Sequence, residues 1–125
     1  MIIGTGIDIV ELSRISKAYD KWGARLAEKL LTPGEVEILL ARKDSAAYLA
    51  SRFAAKEAFL KALGTGYSRG IGWHDIEVSR IAGQRPLLRI GGKAKEIMSN
   101  IGATRAHLSM SHEKNYALAQ VILEN

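Results

Sequence analysis

The pattern of apolar residues along this chain predicts an α+β fold, an antiparallel sheet packed with one long and several short helices. Three observations carry this. An alternating, strand-like run opens the chain. A series of helical patterns follows without another strand. The last third then returns mostly to short alternating runs joined by turn residues.

Ile2 to Val10 reads as the first strand, with Ile3, Thr5, Ile7 and Ile9 on one face and Gly4, Gly6 and Asp8 on the other. The two glycines clear the face that carries Asp8, so another backbone or a ligand is expected to come close there. Ser13 is placed to cap a helix through about Trp22, broken at Gly23 and resumed through Leu30. Thr32-Pro33-Gly34-Glu35 has the form of a capping box with Pro at the first helical position, opening a helix to about Ala41. Asp44 is expected to cap the longest helix, Ser45 to Leu63, which stops at Gly64. After a glycine-rich loop to Gly72, Ile76 to Ile81 and Leu87 to Ile90 flank a turn at Gly83. Lys93 to Ile101 reads as a short helix. Ala106 to Ser111 and Tyr116 to Leu123 form a second hairpin across Glu113-Lys114-Asn115.

The chain has 125 residues and shows no repeat, low-complexity segment or linker, which predicts a single domain, 1–125. It has no cysteine, so disulfides, thiolate metal sites and thiol nucleophiles are excluded. Any metal must take carboxylate, imidazole, carbonyl or water ligands, which favours a hard cation such as magnesium. Met1 to Val10 lacks a basic leader and a cleavage pattern, and no apolar run approaches membrane-spanning length. A soluble cytoplasmic protein with no membrane partner is expected. The net charge of +5 points to an anionic partner.

In the long helix at 100° per residue, Leu49, Phe53, Leu60 and Leu63 fall within a sector of about 80° that must face the core. Arg52 and Lys56 lie at or beside one edge of it, and Glu57 and Lys61 beyond the other. Glu57 and Lys61 are spaced for an i,i+4 ion pair. Arg52 and Lys56 are a like-charge pair with the same spacing, best accounted for by an anion between them. Asp8 and Glu57 are the only acidic residues in such strongly apolar strand and helix settings. Two carboxylates plus water are a common protein contribution to magnesium, with substrate phosphate completing the shell. The loop Gly64-Thr65-Gly66-Tyr67-Ser68-Arg69-Gly70 is no Walker A loop, since no Lys-Ser/Thr pair opens a following helix. Ser109, Ser111 and His112 make no catalytic triad, because His112 points to the opposite strand face and no nucleophile elbow is present. Arg14, Lys17, Lys21, Arg25 and Lys29 form a basic ridge beside Ile15, Trp22 and Leu26, suited to an acidic partner. A nucleic-acid module is disfavoured because exposed stacking aromatics are few and no nucleic-acid-binding signature appears.

Gly6-Ile7-Asp8-Ile9-Val10-Glu11-Leu12 with Arg14 resembles the N-terminal signature of holo-acyl-carrier-protein synthases. Arg52-Phe53-Ala54-Ala55-Lys56-Glu57-Ala58-Phe59-Leu60-Lys61-Ala62-Leu63-Gly64-Thr65-Gly66 resembles their central signature, and Ser109-Met110-Ser111-His112 with Tyr116-Ala117-Leu118-Ala119 is similar to their C-terminal hairpin. The resemblance covers essentially the whole chain. It implies the phosphopantetheinyl transferase fold and the Mg2+-dependent transfer of 4′-phosphopantetheine from coenzyme A to a serine of apo-acyl carrier protein, in fatty acid biosynthesis, with release of adenosine 3′,5′-bisphosphate. It further implies a homotrimer with active sites between subunits. By the same resemblance Asp8 and Glu57 hold the metal and Lys61 serves the transferring phosphate. Arg52, Lys56, Gly64, Gly66 and His112 contact coenzyme A, while Arg14, Lys21 and Arg25 face the carrier protein. The base that deprotonates the serine is Glu57 or a metal-bound water.

Overall fold

The computed structural model describes residues 1–125, and its core is built around one helix. The elements are β1 (Ile2–Glu11), α1 (Leu12–Trp22), α2 (Ala24–Leu30), α3 (Pro33–Ala41), α4 (Ser45–Leu63), β2 (Ile76–Ser79), β3 (Leu87–Ile90), α5 (Gly92–Asn100), β4 (Arg105–His112) and β5 (Tyr116–Glu124). A 3₁₀ turn at Trp73–Asp75, which no sequence pattern announced, leads into β2. The strands form two antiparallel sheets, one of three strands in the order β1-β5-β4 and a β2-β3 hairpin.

In place of a single apolar stripe, α4 is buried over almost its whole circumference, with Tyr48, Leu49, Ala50, Ala54, Ala55, Ala58, Phe59, Leu60 and Ala62 all in the core. The three-stranded sheet covers one side of α4, and α1, α3 and β2 pack elsewhere on it. The glycine-cleared face of β1 meets a backbone. A Cβ built on Gly4 or Gly6 would collide with the carbonyl of Ala62 or Ala58. Small residues on both partners thus bring strand and helix together main chain to main chain. Across the sheet, Asp8 pairs with Ala119 and Val10 with Ala117, which continues the small-residue surface under α4. The opposite face stays open, with Ile7 55% and Ile9 62% exposed and Leu118 beside them.

Helix ends follow the expected chemistry in part. Thr32 and Glu35 form the predicted capping box, and Gly64 ends α4 in the left-handed region at φ 84°, its N–H donating to the carbonyls of Leu60 and Lys61. Asp44 precedes α4 without capping it, because its carboxylate is engaged bidentately by Arg42 at 2.7 and 2.8 Å. Ser13 lies inside α1, not before it, and donates to Glu11. Gly23 separates α1 from α2 at φ 53°, ψ −131°, a conformation that favours glycine and turns the chain between the two helices.

Candidate functional site

Asp8 and Glu57 converge. Both line one cavity of about 560 Å3 between β1, α1, α2 and α4, with Arg14 at its wall and Phe53, Tyr67 and Trp73 closing one side. Tyr67 stacks on Trp73 with ring centroids 4.5 Å apart and planes 8° from parallel. The convergence follows from the fold. Gly4 and Gly6 let β1 lie on α4, so the next inward position, Asp8, falls beside the helix face that carries Glu57.

The two carboxylates are held differently. Asp8 accepts from Lys61 Nζ at 3.0 Å, and the same ammonium donates to the Ile7 carbonyl at 3.0 Å. Lys61 therefore turns away from the i,i+4 pairing expected with Glu57 and reaches across to the strand. Glu57 has neither a hydrogen bond nor an ion pair. Burial pushes its carboxyl above the ordinary carboxylate range and repulsion from Asp8 adds to this, with Lys61 acting in the opposite sense. An unpartnered carboxylate beside a second one, in a half-buried cavity, is a place where a cation stabilises the ionised protein. The donor atoms are all oxygen, and no cluster of three or more His, Cys, Asp or Glu exists. The pair thus fits Mg2+, which keeps several positions for water and phosphate, better than it fits a cation that needs a full protein cage.

Arg52 and His112 meet elsewhere. They line a second cavity of about 350 Å3, with Arg42, Arg80, Tyr48 and Ser51. Arg52 Nη1 donates to Ser51 Oγ at 2.9 Å and its guanidinium lies 4.2 Å from the centroid of Tyr48. Burial lowers the Arg52 pKa from its ordinary value. Its Nε and the Tyr48 hydroxyl are both buried without a partner. Three arginines, one histidine and two unspent donors, offset by Asp44 alone, describe a site for an anion with several oxygens. Arg42 and Arg80 were missed in the sequence because they sit in segments without periodic signal.

Lys56 lines neither cavity. It is 0% exposed, and its ammonium is spent on the Glu35 carboxylate at 2.7 Å, the Leu30 carbonyl at 2.7 Å and the Trp73 carbonyl at 3.3 Å. The structure therefore corrects the expectation that it contacts coenzyme A phosphates. It ties the end of α2, the start of α3 and the 3₁₀ turn to α4. Counted strictly at 100° per residue, Lys56 projects about 20° from Leu49, inside the apolar sector and not at its edge. Its partner Glu35 also accepts from the N–H groups of Thr32 at 2.9 Å and Val78 at 2.8 Å, so this buried ion pair is fully hydrogen-bonded. Gly64 and Gly66 line neither cavity. Both have positive φ, and open space surrounds the position a Cβ would take, so their visible work is to turn the chain after α4. Of the basic ridge, Arg14 and Lys29 reach the carboxylate cavity, while Lys21 and Arg25 flank the exposed ring of Trp22.

This geometry has parallels. A sequence model described as the 4′-phosphopantetheinyl transferase superfamily matches residues 4–121. A holo-[acyl-carrier-protein] synthase of Maridesulfovibrio salexigens is 50% identical over 124 residues, covering 99% of both chains. The crystal structure of holo-[acyl-carrier-protein] synthase from Neisseria meningitidis superposes with a TM-score of 0.92 at 38% identity, covering 100% of both chains. A holo-(acyl-carrier-protein) synthase from Bacillus anthracis in complex with CoA (3′,5′-ADP) superposes at 0.81 with 40% identity, covering 98% of this chain and 96% of that one. Sequence and fold agree from end to end with the paired carboxylates and the basic cavity, and the chain belongs to the 4′-phosphopantetheinyl transferase superfamily.

Proposed function

We propose that the chain is a holo-[acyl-carrier-protein] synthase, which moves 4′-phosphopantetheine from coenzyme A to a serine hydroxyl of an apo-acyl carrier protein and releases adenosine 3′,5′-bisphosphate. The observation that carries the reading is the carboxylate pair, with Glu57 unpartnered and Lys61 fixed on Asp8, in a chain that matches such synthases over its full length.

Asp8 and Glu57 would hold Mg2+, which when bound neutralises charge on the pyrophosphate oxygens. Lys61, half exposed beside Asp8, supplies a positive charge to the transferring phosphate. The serine oxygen attacks that phosphorus, the bond to the bisphosphate oxygen breaks, and Glu57 or a water beside it takes the serine proton. Arg52 and His112 serve the phosphates of coenzyme A, with Arg42 and Arg80 beside them in the same cavity. Arg14, Lys21 and Arg25 face the acidic carrier protein. The nucleophile belongs to the carrier, so the chain needs no elbow serine of its own.

The phosphate-binding residues and the carboxylate pair line separate cavities, and the outer sheet face exposes Ile7, Ile9 and Leu118. Both features favour a homotrimer in which one subunit's basic cavity serves its neighbour's carboxylates. No helix is long and apolar enough to cross a membrane, which accords with action in the cytoplasm. The test is a mass-shift assay on an apo-acyl carrier protein with coenzyme A and Mg2+. Addition of one phosphopantetheine is expected, and its absence overturns the reading.

A further inference from the structure

The transfer chemistry leaves one buried tyrosine without a role. Tyr48, in the first turn of α4, is 2% exposed, and its hydroxyl is buried without a hydrogen bond. It lines the basic cavity. The Arg52 guanidinium lies 4.2 Å and the Arg42 guanidinium 5.3 Å from the centroid of its ring. Arg42 is engaged by Asp44. Arg52 is 8% exposed, and its guanidinium makes one hydrogen bond, from Nη1 to Ser51 Oγ. The Ser51 hydroxyl in turn donates to the Tyr48 carbonyl, so Tyr48 and Arg52 are joined both through Ser51 and across the ring. Two buried polar groups in direct contact, the Tyr48 hydroxyl and Arg52 Nε, are left without partners. Such groups weaken the protein while they stay unpaired, and folded chains pair nearly all of them. Solvent reaches neither atom, so a ligand satisfies them by turning the guanidinium and not by touching them. The partner each lacks is the other. Burial pushes the phenol above its ordinary pKa, which keeps it a neutral hydroxyl whose oxygen can accept an N–H.

We propose that Tyr48 is a positioning residue of the coenzyme A phosphate site: its ring seats Arg52, and its hydroxyl accepts the Arg52 Nε–H when phosphate draws the guanidinium round, leaving the outer Nη edge to grip the anion. This rests on the synthase reading above and specifies how the phosphates of coenzyme A are held. Arginine can offer an anion more than one edge, and bidentate binding needs one edge fixed in place. A guanidinium with a partner on Nε is fixed before the anion closes on it, so less of the binding is lost to ordering. The hydroxyl therefore costs stability while the cavity is empty and contributes only in the complex. A tyrosine retained for packing alone would show the opposite balance.

The experiment titrates coenzyme A calorimetrically into wild type, Tyr48→Phe, Arg52→Ala and the double variant, with thermal unfolding of each and steady-state transfer to an apo-acyl carrier protein alongside. Tyr48→Phe keeps the ring and is expected to weaken coenzyme A binding about threefold to tenfold, the range of one net hydrogen bond. KM for coenzyme A rises in parallel, KM for the carrier stays near wild type, and the thermal midpoint is equal or higher. In the Arg52→Ala background Tyr48→Phe has no further effect on binding, because the hydroxyl acts through Arg52. Wild-type affinity in Tyr48→Phe, a full additional loss in the double variant, or a lowered midpoint accompanying the weaker binding overturns the positioning role while leaving the synthase reading intact. A wild type that binds no coenzyme A overturns both.

Discussion

Replacing Lys56 by Met removes the ammonium at the centre of the fold while keeping most of the side chain's volume. Glu35, 1% exposed, would keep its two backbone N–H donors but lose its counter-charge. Breaking one side of a buried pair costs about 3–5 kcal/mol. The Leu30 and Trp73 carbonyls would each lose a donor, at about 1 kcal/mol apiece where no water replaces it. The effects share one site and will not add fully, so about 4–6 kcal/mol is expected, against a typical domain stability of about 5–15 kcal/mol. Removing both charges with Lys56→Met and Glu35→Met recovers only part of this. Glu35 is also the acceptor for the Thr32 and Val78 N–H groups, and each orphaned donor costs about 1–3 kcal/mol. Urea unfolding followed by circular dichroism measures the midpoint and slope of Lys56→Met, Glu35→Met, the double variant and wild type. A single variant within about 1 kcal/mol of wild type would refute the reasoning that this pair is structural. So would a cycle showing no coupling between the two positions.

The other predictions concern the site and its frame. Glu57→Gln is expected to abolish Mg2+-dependent transfer, as is Asp8→Asn, both read by the mass shift on apo-carrier. A carboxyl whose folded pKa is raised contributes stability below its unfolded pKa and loses it as pH rises through the folded value. Ionised Glu57 therefore weakens the fold at neutral pH, and Glu57→Gln should unfold at an equal or higher temperature than wild type. Arg52→Ala is expected to raise KM for coenzyme A about tenfold or more by removing charge-assisted bonds to phosphate, with the carrier KM little changed. Gly6→Ala puts a methyl group into the Ala58 carbonyl and should cost several kcal/mol, on the order of the worst overpacking substitutions, as measured by urea unfolding. If the proposed homotrimer forms through the open sheet face, Leu118→Asp should dissociate it, seen by sedimentation, and abolish the transfer activity with it.

Local chemistry was legible in the sequence, and long-range pairing was not. Thr32-Pro33-Gly34-Glu35 announced its own capping box because all the partners lie within one turn. Gly4 and Gly6 announced a close approach, though not that the approaching backbone would be α4. The boundaries of α4 were clear, but its environment was not, since Ala54, Ala55, Ala58 and Ala62 are good helix formers whether buried or exposed. Lys56 was misread because its partner Glu35 lies 21 residues away, and nothing local marks a lysine as internal except its angle on the helix. Asp44 had the right residue type for a cap, and Arg42, two residues before it, took its oxygens. Glu57 and Lys61 had the spacing of a pair, yet the strand beside them offered Lys61 two better-placed oxygens. For Lys56 and Lys61 a tertiary partner outcompeted a sound local preference, and for Asp44 a neighbour in sequence did.

The contact between β1 and α4 sets how the carboxylate spacing responds to change. Where two elements meet through side chains, a single methyl more or less shifts them. Here Gly4 and Gly6 rest on the main chain of Ala58 and Ala62, and main chain does not change rotamer or vary with substitution elsewhere. The strand and helix therefore act as a fixed gauge, and the gap between Asp8 and Glu57 is set by atoms common to every residue type. Core residues away from this contact, such as Leu39, can repack with less effect on that gap, so long as the two glycines and the small residues at the contact, Ala58, Ala62, Ala117 and Ala119, are kept.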